Sequence, residues 1–327
     1  MAPLLSIIVP VHNHAHSLPG LLDSVVRQSL KDVEVLIVDD ASEHACEKTV
    51  AEYREKGLDI RLYSSSRRLY TKDARLKGIE LSRGEVIAFA DADDEFVGHD
   101  ILEQHLRQYL DSGCDTLHFC SMRLHAEEGG QSYNAWADPF AAELKGEDIF
   151  REYSKYLAGH VMWNKLYSRA LWMRHMEAAK AVPITVCSED LFLSTFYLFH
   201  ARHYVGSELV GYAHAYADKV AYKAACRAAA FFVMMQDFLP YLEARGCPGD
   251  VFETLCARLS HDCWAYVNRA CLEASREAGQ NIHLYKSSDA FHGVPEDRLI
   301  DLLIYANNKN ANALSAWARD FLRHKVS

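Results

Sequence analysis

The sequence lacks several features that mark particular classes of protein. Its formal net charge is -10, and without an excess of Lys and Arg to neutralise phosphates a general nucleic-acid binder is disfavoured. No G-x-G-x-x-G motif follows an early strand-like segment, which argues against a nicotinamide-dependent oxidoreductase. The longest apolar stretch, around residues 228–235, is far shorter than the roughly 20 residues that a membrane-spanning helix requires. We therefore expect no nucleic-acid partner and no transmembrane helix.

Cysteine usage indicates a reducing compartment. The cysteines are odd in number, form no C-x-x-C pair and are scattered along the chain, which is typical of Cys used as a small buried residue. The nine are Cys46, Cys114, Cys120, Cys187, Cys226, Cys247, Cys256, Cys263 and Cys271. The first residues also lack the basic segment of a signal peptide and run directly into a strand-like segment. These observations predict a cytoplasmic protein.

The first hundred residues alternate between strand-like and helix-like patterns. Short β-branched runs predict buried strands at residues 6–11, 33–38, 59–63 and 85–90. Apolar residues at helical spacing predict helices near residues 17–26, 46–56 and 72–82 between those strands. Strand and helix in strict succession predict an α/β fold with a parallel sheet.

The last third of the chain has a different character. From about residue 221 it is rich in Ala and favours long helices, at about residues 224–244, 250–278, 295–305 and 311–324. We therefore predict a helical C-terminal domain over residues 221–327.

Polar residues collect directly after three of the predicted strands. They are His12 and Asn13 after the first, Asp39 and Asp40 after the second, and Asp91, Asp93 and Asp94 after the fourth. The carboxyl ends of parallel strands share one edge of a sheet, where ligands of such folds bind. The sequence therefore predicts one polar crevice at this edge.

The acidic run Asp91-Ala92-Asp93-Asp94 allows two interpretations. Carboxylates at the end of a buried strand repel one another unless a cation or protons lie between them, and they suit a hard divalent ion that also holds a diphosphate. The alternative is an exposed turn in which Asp caps a helix over residues 100–110.

Asp39 also has two interpretations. It is placed to accept hydrogen bonds from a nucleotide base or ribose in the crevice. The alternative is a strand-to-helix turn in which Asp40 or Ser42 is the N-cap.

Four ordered motifs resemble the family 2 glycosyltransferases of the GT-A fold. The family pattern reads strand-P-V-x-N, E-x-x-x-V-D-D-x-S, A-R-N-x-G-I and G-E-x-I-x-F-x-D-x-D-D. The chain has SIIVPVHN at residues 6–13, EVLIVDDAS at 34–42, ARLKGI at 74–79 and GEVIAFADADD at 84–94. The resemblance is specific over residues 4 to about 100.

Two later segments extend the resemblance to about residue 215. Residues 162–167 (MWNKLY) resemble the W-N-K-L-Y element of bacterial members that build surface polysaccharides, and residues 188–190 (SED) resemble the family's E-D motif. The resemblance implies a GT-A domain over residues 1–220, with a donor half over about 1–100 and an acceptor half over about 101–220.

The resemblance implies an inverting transfer of sugar from a nucleotide-diphosphate sugar, expected to be a UDP-sugar, with Mn or Mg as cofactor. Asp91 and Asp93, with Asp94 nearby, would hold the metal ion. His214 could be a further metal ligand or a phosphate contact, and the alternative is that it is a core residue. Asp190 would act as general base on an acceptor hydroxyl.

The resemblance also implies a donor pocket. Asp39 would hold the base, Arg75 would pair with uracil or the phosphates, and Asp91 and Ala92 would border the donor. Three residues after the first strand, Pro10, Val11 and Asn13, would line the pocket. His12 stands where the family usually has Tyr and could still stack on a base.

Departures from the pattern at Leu76, where the family has Asn, and Tyr70, where it has Gly, affect the expected sugar preference more than the reaction. The stretch His12, His14 and His16 could bind a transition metal but is more typical of a solvated loop.

Two rival functions remain open. A haloacid-dehalogenase-like phosphohydrolase also places Asp-x-Asp after a buried strand, but it needs that motif on the first strand. A degenerate transferase domain could act as a binding module. For the transferase, we expect a glycan or lipid-linked acceptor, peripheral contact with the inner membrane face, and homo-oligomers formed through the helical domain.

Overall fold

The computed structural model describes residues 2–44, 46–127, 130–135, 138–183, 188–216, 227, 230–231 and 233–276. The chain divides into two compact units. The first unit comprises Met1–Tyr153, Leu157–Lys180 and Leu193–Lys219. The second comprises Ser154–Tyr156, Ala181–Phe192 and Val220–Ser327. The predicted domain boundary near residue 220 stays a prediction.

The first unit is built on one sheet of ten strands. The strands are β1 Leu5–Val11, β2 Val33–Asp39, β3 Asp59–Ser64, β4 Val86–Phe89, β5 Glu95–Phe96, β6 Thr116–Glu127, β7 Gly130–Ala135, β8 Glu143–Lys145, β9 Lys165–Ser168 and β10 His203–Tyr216. The helices numbered along the chain to this point are α1 Leu18–Val26, α2 Glu47–Glu55, α3 Tyr70–Leu81, α4 Ile101–Ser112, α5 Glu147–Tyr156, α6 Arg169–Ala181 and α7 Glu189–His200.

The sheet has a parallel half and a mixed half. The strand order is β3-β2-β1-β4-β9-β6-β10-β5, with β7 on β6 and β8 on β10. β1 to β4 are parallel, as predicted. Beyond β4 the sheet continues through the antiparallel strand β9 to β6 and β10, which pair in parallel. The α/β prediction is therefore confirmed, and the parallel order applies to the N-terminal half.

The parallel half is covered on both faces, which is why its strands read as continuous apolar runs. All seven residues of β2 are buried. Helix α3 lies so close to β1 that a Cβ on Gly78 would stand 2.2 Å from Cγ2 of Ile8. The glycine of the ARLKGI motif is therefore required by helix-to-strand packing.

Glu34, the first residue of the EVLIVDDAS motif, is a buried anchor at the amino end of β2. Its carboxylate accepts hydrogen bonds from Oγ of Ser6 (2.6 Å), from N and Nε of Arg83 (2.6 and 2.7 Å) and from Nη1 of Arg61 (3.2 Å). Burial raises the pKa of Glu34, but these hydrogen bonds outweigh burial and hold the pKa below its ordinary value. Glu34 therefore stabilises the fold as a carboxylate.

We expect Glu34→Ala to lower the free energy of unfolding by about 3 kcal/mol, because it leaves two guanidinium groups without their buried partner. Since the pKa is lowered in the folded protein, the stabilisation is present above the ordinary value of 4.5 and is lost as the pH falls below it. Urea denaturation at several pH values measures both effects. Glu52→Ala is the control, because that glutamate is exposed and stands 3.9 Å from Lys48. An equal, small change in both variants would contradict the anchor role.

The described residues of the second unit are mainly helical. A π-helical turn at Met234–Phe238 leads into α8, Leu239–Ala244, and α9 spans Gly249–Arg276. The helix predicted over residues 250–278 is α9, and those predicted at 295–305 and 311–324 lie outside the described residues. Among the described helices, none is both long and apolar enough to cross a membrane.

Candidate functional site

The polar residues predicted at the strand ends lie where three neighbouring parallel strands finish. β1 lies between β2 and β4 in the sheet. Val11 at the end of β1 pairs with Asp39 at the end of β2, and Ile8 pairs with Phe89 at the end of β4. The loops that follow the three strands therefore leave the same edge.

The loop after β1 is tied to the loop after β2. Nδ1 of His12 is 2.8 Å from the carbonyl oxygen of Asp40, so Nδ1 carries the proton and Nε2 accepts from the amide of Asn13 (3.1 Å). Asn13 has a φ of 58°, a conformation that Asn tolerates. Its backbone N–H donates to Oγ of Ser42 (3.0 Å), and its Oδ1 accepts the N–H of Glu43 (2.8 Å). The motif Asn therefore shapes the edge of the predicted pocket.

Asp40 organises the segment that leads into α3. Its buried carboxylate accepts hydrogen bonds from the backbone N–H groups of Leu69 and Tyr70 and from Nε of Arg68 (3.1 Å). Tyr70 has a φ of 65°, which glycine adopts freely and which other residues rarely adopt. Asp40 therefore holds Tyr70 in a conformation that glycine would adopt more easily.

Asp39 is the residue that the resemblance assigns to the nucleotide base. It is 4% exposed, and its Oδ1 accepts the N–H of Ser42 (3.1 Å). Helix α2 starts at Glu47 after the N-cap residue Cys46, so neither Asp40 nor Ser42 is its N-cap. The helix-cap interpretation of this segment is therefore wrong.

Arg75 is brought to the acidic run. It projects from α3, is 2% exposed, and its Nη2 lies 3.1 Å from Oδ1 of Asp91. Its guanidinium carbon also lies over the ring of Phe89, 5.9 Å from the centroid. A buried cation thus faces the first carboxylate of the run.

Three side chains at this edge could hold a metal ion. Ligand atoms of Asp91, Asp94 and His214 all lie within 4.8 Å of one another. Oδ2 of Asp94 is 3.0 Å from Nδ1 of His214, and its Oδ1 accepts the N–H of Ala215 (2.8 Å). The side chain of Asp94 is fully buried, whereas those of Asp91 and His214 are 29% and 15% exposed. The cluster therefore opens to solvent on the side of Asp91 and His214.

The electrostatics of Asp94 favour a bound cation or proton. Burial, the largest cause, raises the pKa of Asp94 to about 6. The hydrogen bond with His214 opposes the rise, and the neighbouring carboxylate of Asp91 adds to it. Two carboxylates this close, one of them desolvated, are stabilised by any positive charge placed between them.

The sequence reasoning missed Tyr212. This fully buried residue lies two positions before His214 in β10, and its hydroxyl oxygen accepts the backbone N–H of Asp91 (2.9 Å). Its only sequence signal is the alternation Gly211-Tyr212-Ala213-His214, which places Tyr212 and His214 on one face of a strand.

The other predicted residues occupy varied positions. Ala92 and Val11 are buried, and Pro10 and Asp93 are half-buried. The structure does not bring Asp93 into the three-residue cluster. The rings of His14 and His16 stack with their centroids 5.6 Å apart. Within the described part of the chain, the group of three or more side chains that could hold a metal is Asp91, Asp94 and His214, and it does not include these histidines.

Asp190 lies in the first turn of α7, belongs to the second unit and is half-buried. Its role as general base stays a prediction.

Comparison with known proteins agrees with these motifs. The family model described as Glycosyl transferase family 2 matches residues 6–170. The amylovoran biosynthesis glycosyltransferase AmsB of Erwinia amylovora is 39% identical over 103 residues, which are 31% of this chain and 34% of AmsB. The chain spans from 27% to 60% of the length of three curated relatives that it matches.

Two solved structures share the fold. A crystal structure of S. aureus TarS 1-349 in complex with UDP-GlcNAc has a TM-score of 0.57 and 18% identity, covering 99% of this chain and 92% of that chain. The mannosyltransferase PcManGT from Pyrobaculum calidifontis, in complex with GDP-Man and Mn2+, has a TM-score of 0.52 and 17% identity, covering 97% of this chain and 88% of that chain. These neighbours confirm the GT-A fold, and the family match does not favour the phosphohydrolase alternative.

Proposed function

The chain belongs to glycosyl transferase family 2, and on that premise we propose that it transfers a sugar from a nucleotide-diphosphate sugar to an acceptor hydroxyl with inversion. The observation that carries the proposal is the cluster of Asp91, Asp94 and His214. Its members come from positions up to 123 residues apart in sequence, and they meet at the strand edge where ligands of such sheets bind.

The donor chemistry of the cluster fits a divalent ion. Carboxylate oxygens suit Mg and Mn, and an imidazole suits a transition ion better than Mg. We therefore propose Mn²⁺ held by Asp91, Asp94 and His214, with Asp93 close by in sequence. These residues would hold the ion where its charge could neutralise a leaving diphosphate.

For the donor, we propose that the buried carboxylate of Asp39 accepts hydrogen bonds from the base or ribose. Pro10, Val11, His12 and Asn13 border that pocket in this proposal. Arg75, which pairs with Asp91, provides positive charge for the phosphates. The fold is common to a UDP-sugar complex and a GDP-sugar complex, so the fold does not decide the base, and UDP is proposed from the motifs.

For the acceptor, we propose that Asp190 removes the proton from the attacking hydroxyl. A positioned carboxylate contributes about a hundredfold to ten-thousandfold to such a step.

The proposed acceptor is a glycan or a lipid-linked glycan. We also propose that the protein contacts the membrane peripherally and that it self-associates through its helical residues. Flotation with acidic-lipid vesicles tests the membrane contact, and a chain that stays at the bottom of the gradient contradicts it.

A thermal-shift screen of UDP-, GDP- and TDP-sugars, each with Mn²⁺, Mg²⁺ or EDTA, tests the proposed function. The true donor binds only the folded chain, so at a hundred times its dissociation constant it adds about 2.7 kcal/mol of stability. We expect a UDP-sugar with Mn²⁺ to raise the melting temperature most. The matching activity assay is metal-dependent hydrolysis of that donor, measured as the amount of UDP released.

The screen and the hydrolysis assay together also distinguish a transferase from the remaining alternative, a binding module. A binding module would be stabilised by a donor without hydrolysing it, and Asp190→Asn would then change nothing. No stabilisation by any of the nucleotide sugars, with either metal, contradicts the transferase proposal.

A further inference from the structure

Trp163 lies behind the proposed cation site without belonging to it. Its indole stacks on the ring of His214, with centroids 5.1 Å apart and planes 6° apart. The same indole stacks on the ring of Tyr212, with centroids 4.9 Å apart and planes 14° apart. One side chain therefore lies flat against two others.

The spacing explains why an indole is needed. Tyr212 and His214 are alternate residues of β10, so their side chains project from the same face about 7 Å apart along the strand. Indole is the longest aromatic ring system among the side chains. A phenyl ring at residue 163 could cover one of the two rings well, but not both.

Each of the two rings holds one carboxylate residue of the cluster. The hydroxyl of Tyr212 accepts the backbone N–H of Asp91 at 2.9 Å, and Nδ1 of His214 lies 3.0 Å from Oδ2 of Asp94. Movement of the indole would remove the packing that holds both rings in place. Trp163 thus contacts His214 directly, and it contacts Asp91 and Asp94 through Tyr212 and His214.

Trp163 is itself held by the two residues that follow it. The amide of Asn164 donates to Nε2 of His118 (2.9 Å), and Nζ of Lys165 donates to Oδ1 of Asn164 (2.7 Å) and to the carbonyl of Val161 (2.6 Å). All three polar side chains are at most 1% exposed, and Trp163 is 2% exposed. The W-N-K part of residues 162–167 therefore forms one rigid support, because such a buried and satisfied network has a single arrangement.

We propose that Trp163 is a positioning residue that acts through His214 and Tyr212 to hold the cation site in its binding geometry. This inference rests on the proposed function, in that the cluster binds a divalent ion. Outer contacts of metal ligands commonly change metal affinity by 10-fold to 100-fold when they are removed. Here the outer contact is ring packing against His214, in place of a hydrogen bond to that ligand.

Mn²⁺ binding in the presence of UDP tests the inference, with free Mn²⁺ followed by electron paramagnetic resonance. We expect Trp163→Leu to raise the dissociation constant of Mn²⁺ about tenfold, and Trp163→Phe to raise it by less because one stack survives. In the transfer assay, the Mn²⁺ concentration for half-maximal rate should rise while kcat at saturating Mn²⁺ stays close to wild type.

Trp172→Phe is the matched control. Trp172 is 1% exposed and packs among Tyr167, Tyr197 and Phe196, so the substitution disturbs an equally buried aromatic cluster. We expect its melting temperature to fall and its Mn²⁺ affinity to stay unchanged. Melting curves for every variant show which chains are folded.

A double-mutant cycle separates positioning from general destabilisation. If Trp163 acts partly through His214, then Trp163→Leu should weaken Mn²⁺ binding less in a His214→Ala background than in the wild type, and the remaining effect would pass through Tyr212. Additive effects, or a folded Trp163→Leu or Trp163→Phe chain with wild-type Mn²⁺ affinity, overturn the inference alone. A wild-type chain that binds no Mn²⁺ overturns the proposed cation site and the inference with it.

Discussion

Asp190→Asn should lower kcat for sugar transfer by about a thousandfold, because an amide of the same size cannot accept the proton of the acceptor hydroxyl. Binding of the nucleotide sugar should change little, since the proposed general base would touch the acceptor rather than the donor. Initial rates at saturating donor, with donor binding measured separately by thermal shift, give the two quantities.

The matched control for this substitution is Asp148→Asn. Asp148 is the second residue of α5, as Asp190 is of α7, so both substitutions remove a negative charge from the first turn of a helix. Such a charge stabilises a helix by about 0.3–1 kcal/mol, and both variants lose this contribution. Asp148 is exposed and has no proposed role. Equal rates for the two variants would mean that another residue takes the proton.

The fold of the first hundred residues was predictable because its signals are local. β1 and β2 are nearly continuous apolar runs, and each of the first three strands is followed by a helix. Two motif residues were recognised from the pattern, but their physical reasons lie in contacts with other segments: Gly78 allows α3 to approach β1, and Glu34 stays charged among its arginine partners.

The second half of the sheet was not predictable from local pattern. β9 inserts between β4 and β6 and pairs Ile87 with Tyr167, eighty residues further along the chain. β10 then returns to pair in parallel with β6. Periodicity shows that a segment is a strand but contains no information about which strand it pairs with. The antiparallel direction of β9 therefore came only from the structure.

The same limit applies to the candidate site. Asp39, Arg75 and Asp91 were predicted because each stands in a short motif with a recognisable pattern. His214 was left open between a metal ligand and a core residue, since it reaches Asp94 across 120 residues. The supporting roles of Tyr212 and Trp163 depend on ring packing between β10 and the turn before β9, which no spacing along the chain encodes.

The second large effect expected is that of Asp94→Asn, which should lower metal-dependent transfer by about a hundredfold to a thousandfold. The estimate follows from the several kcal/mol that a bound cation contributes to charge stabilisation during transfer. Asn keeps the shape of Asp94 and its hydrogen bond from the N–H of Ala215, and it removes the charge that the ion would neutralise.

Melting temperatures distinguish this loss of charge from misfolding. The substitution should change the melting temperature of the metal-free protein and that of the metal-bound protein in opposite directions. The carboxylate of Asp94 is fully buried and its pKa is raised to about 6, so its charge destabilises the metal-free protein at neutral pH. In EDTA, Asp94→Asn should therefore melt at the same temperature as the wild type or higher. With Mn²⁺ and UDP the order should reverse, since only the wild type gains binding energy.

Glu95→Gln is the control for position and charge. Glu95 is the next residue, is half-buried, and meets Arg27 at 3.5 Å on the surface, so its loss should change neither activity nor the response to Mn²⁺. If Asp94→Asn keeps the Mn²⁺-dependent rise in melting temperature, Asp94 is not a ligand and the ion is held elsewhere. If instead the variant melts lower than the wild type in EDTA, the carboxylate stabilises the fold through His214 and Ala215, and the reduced activity would reflect that structural loss.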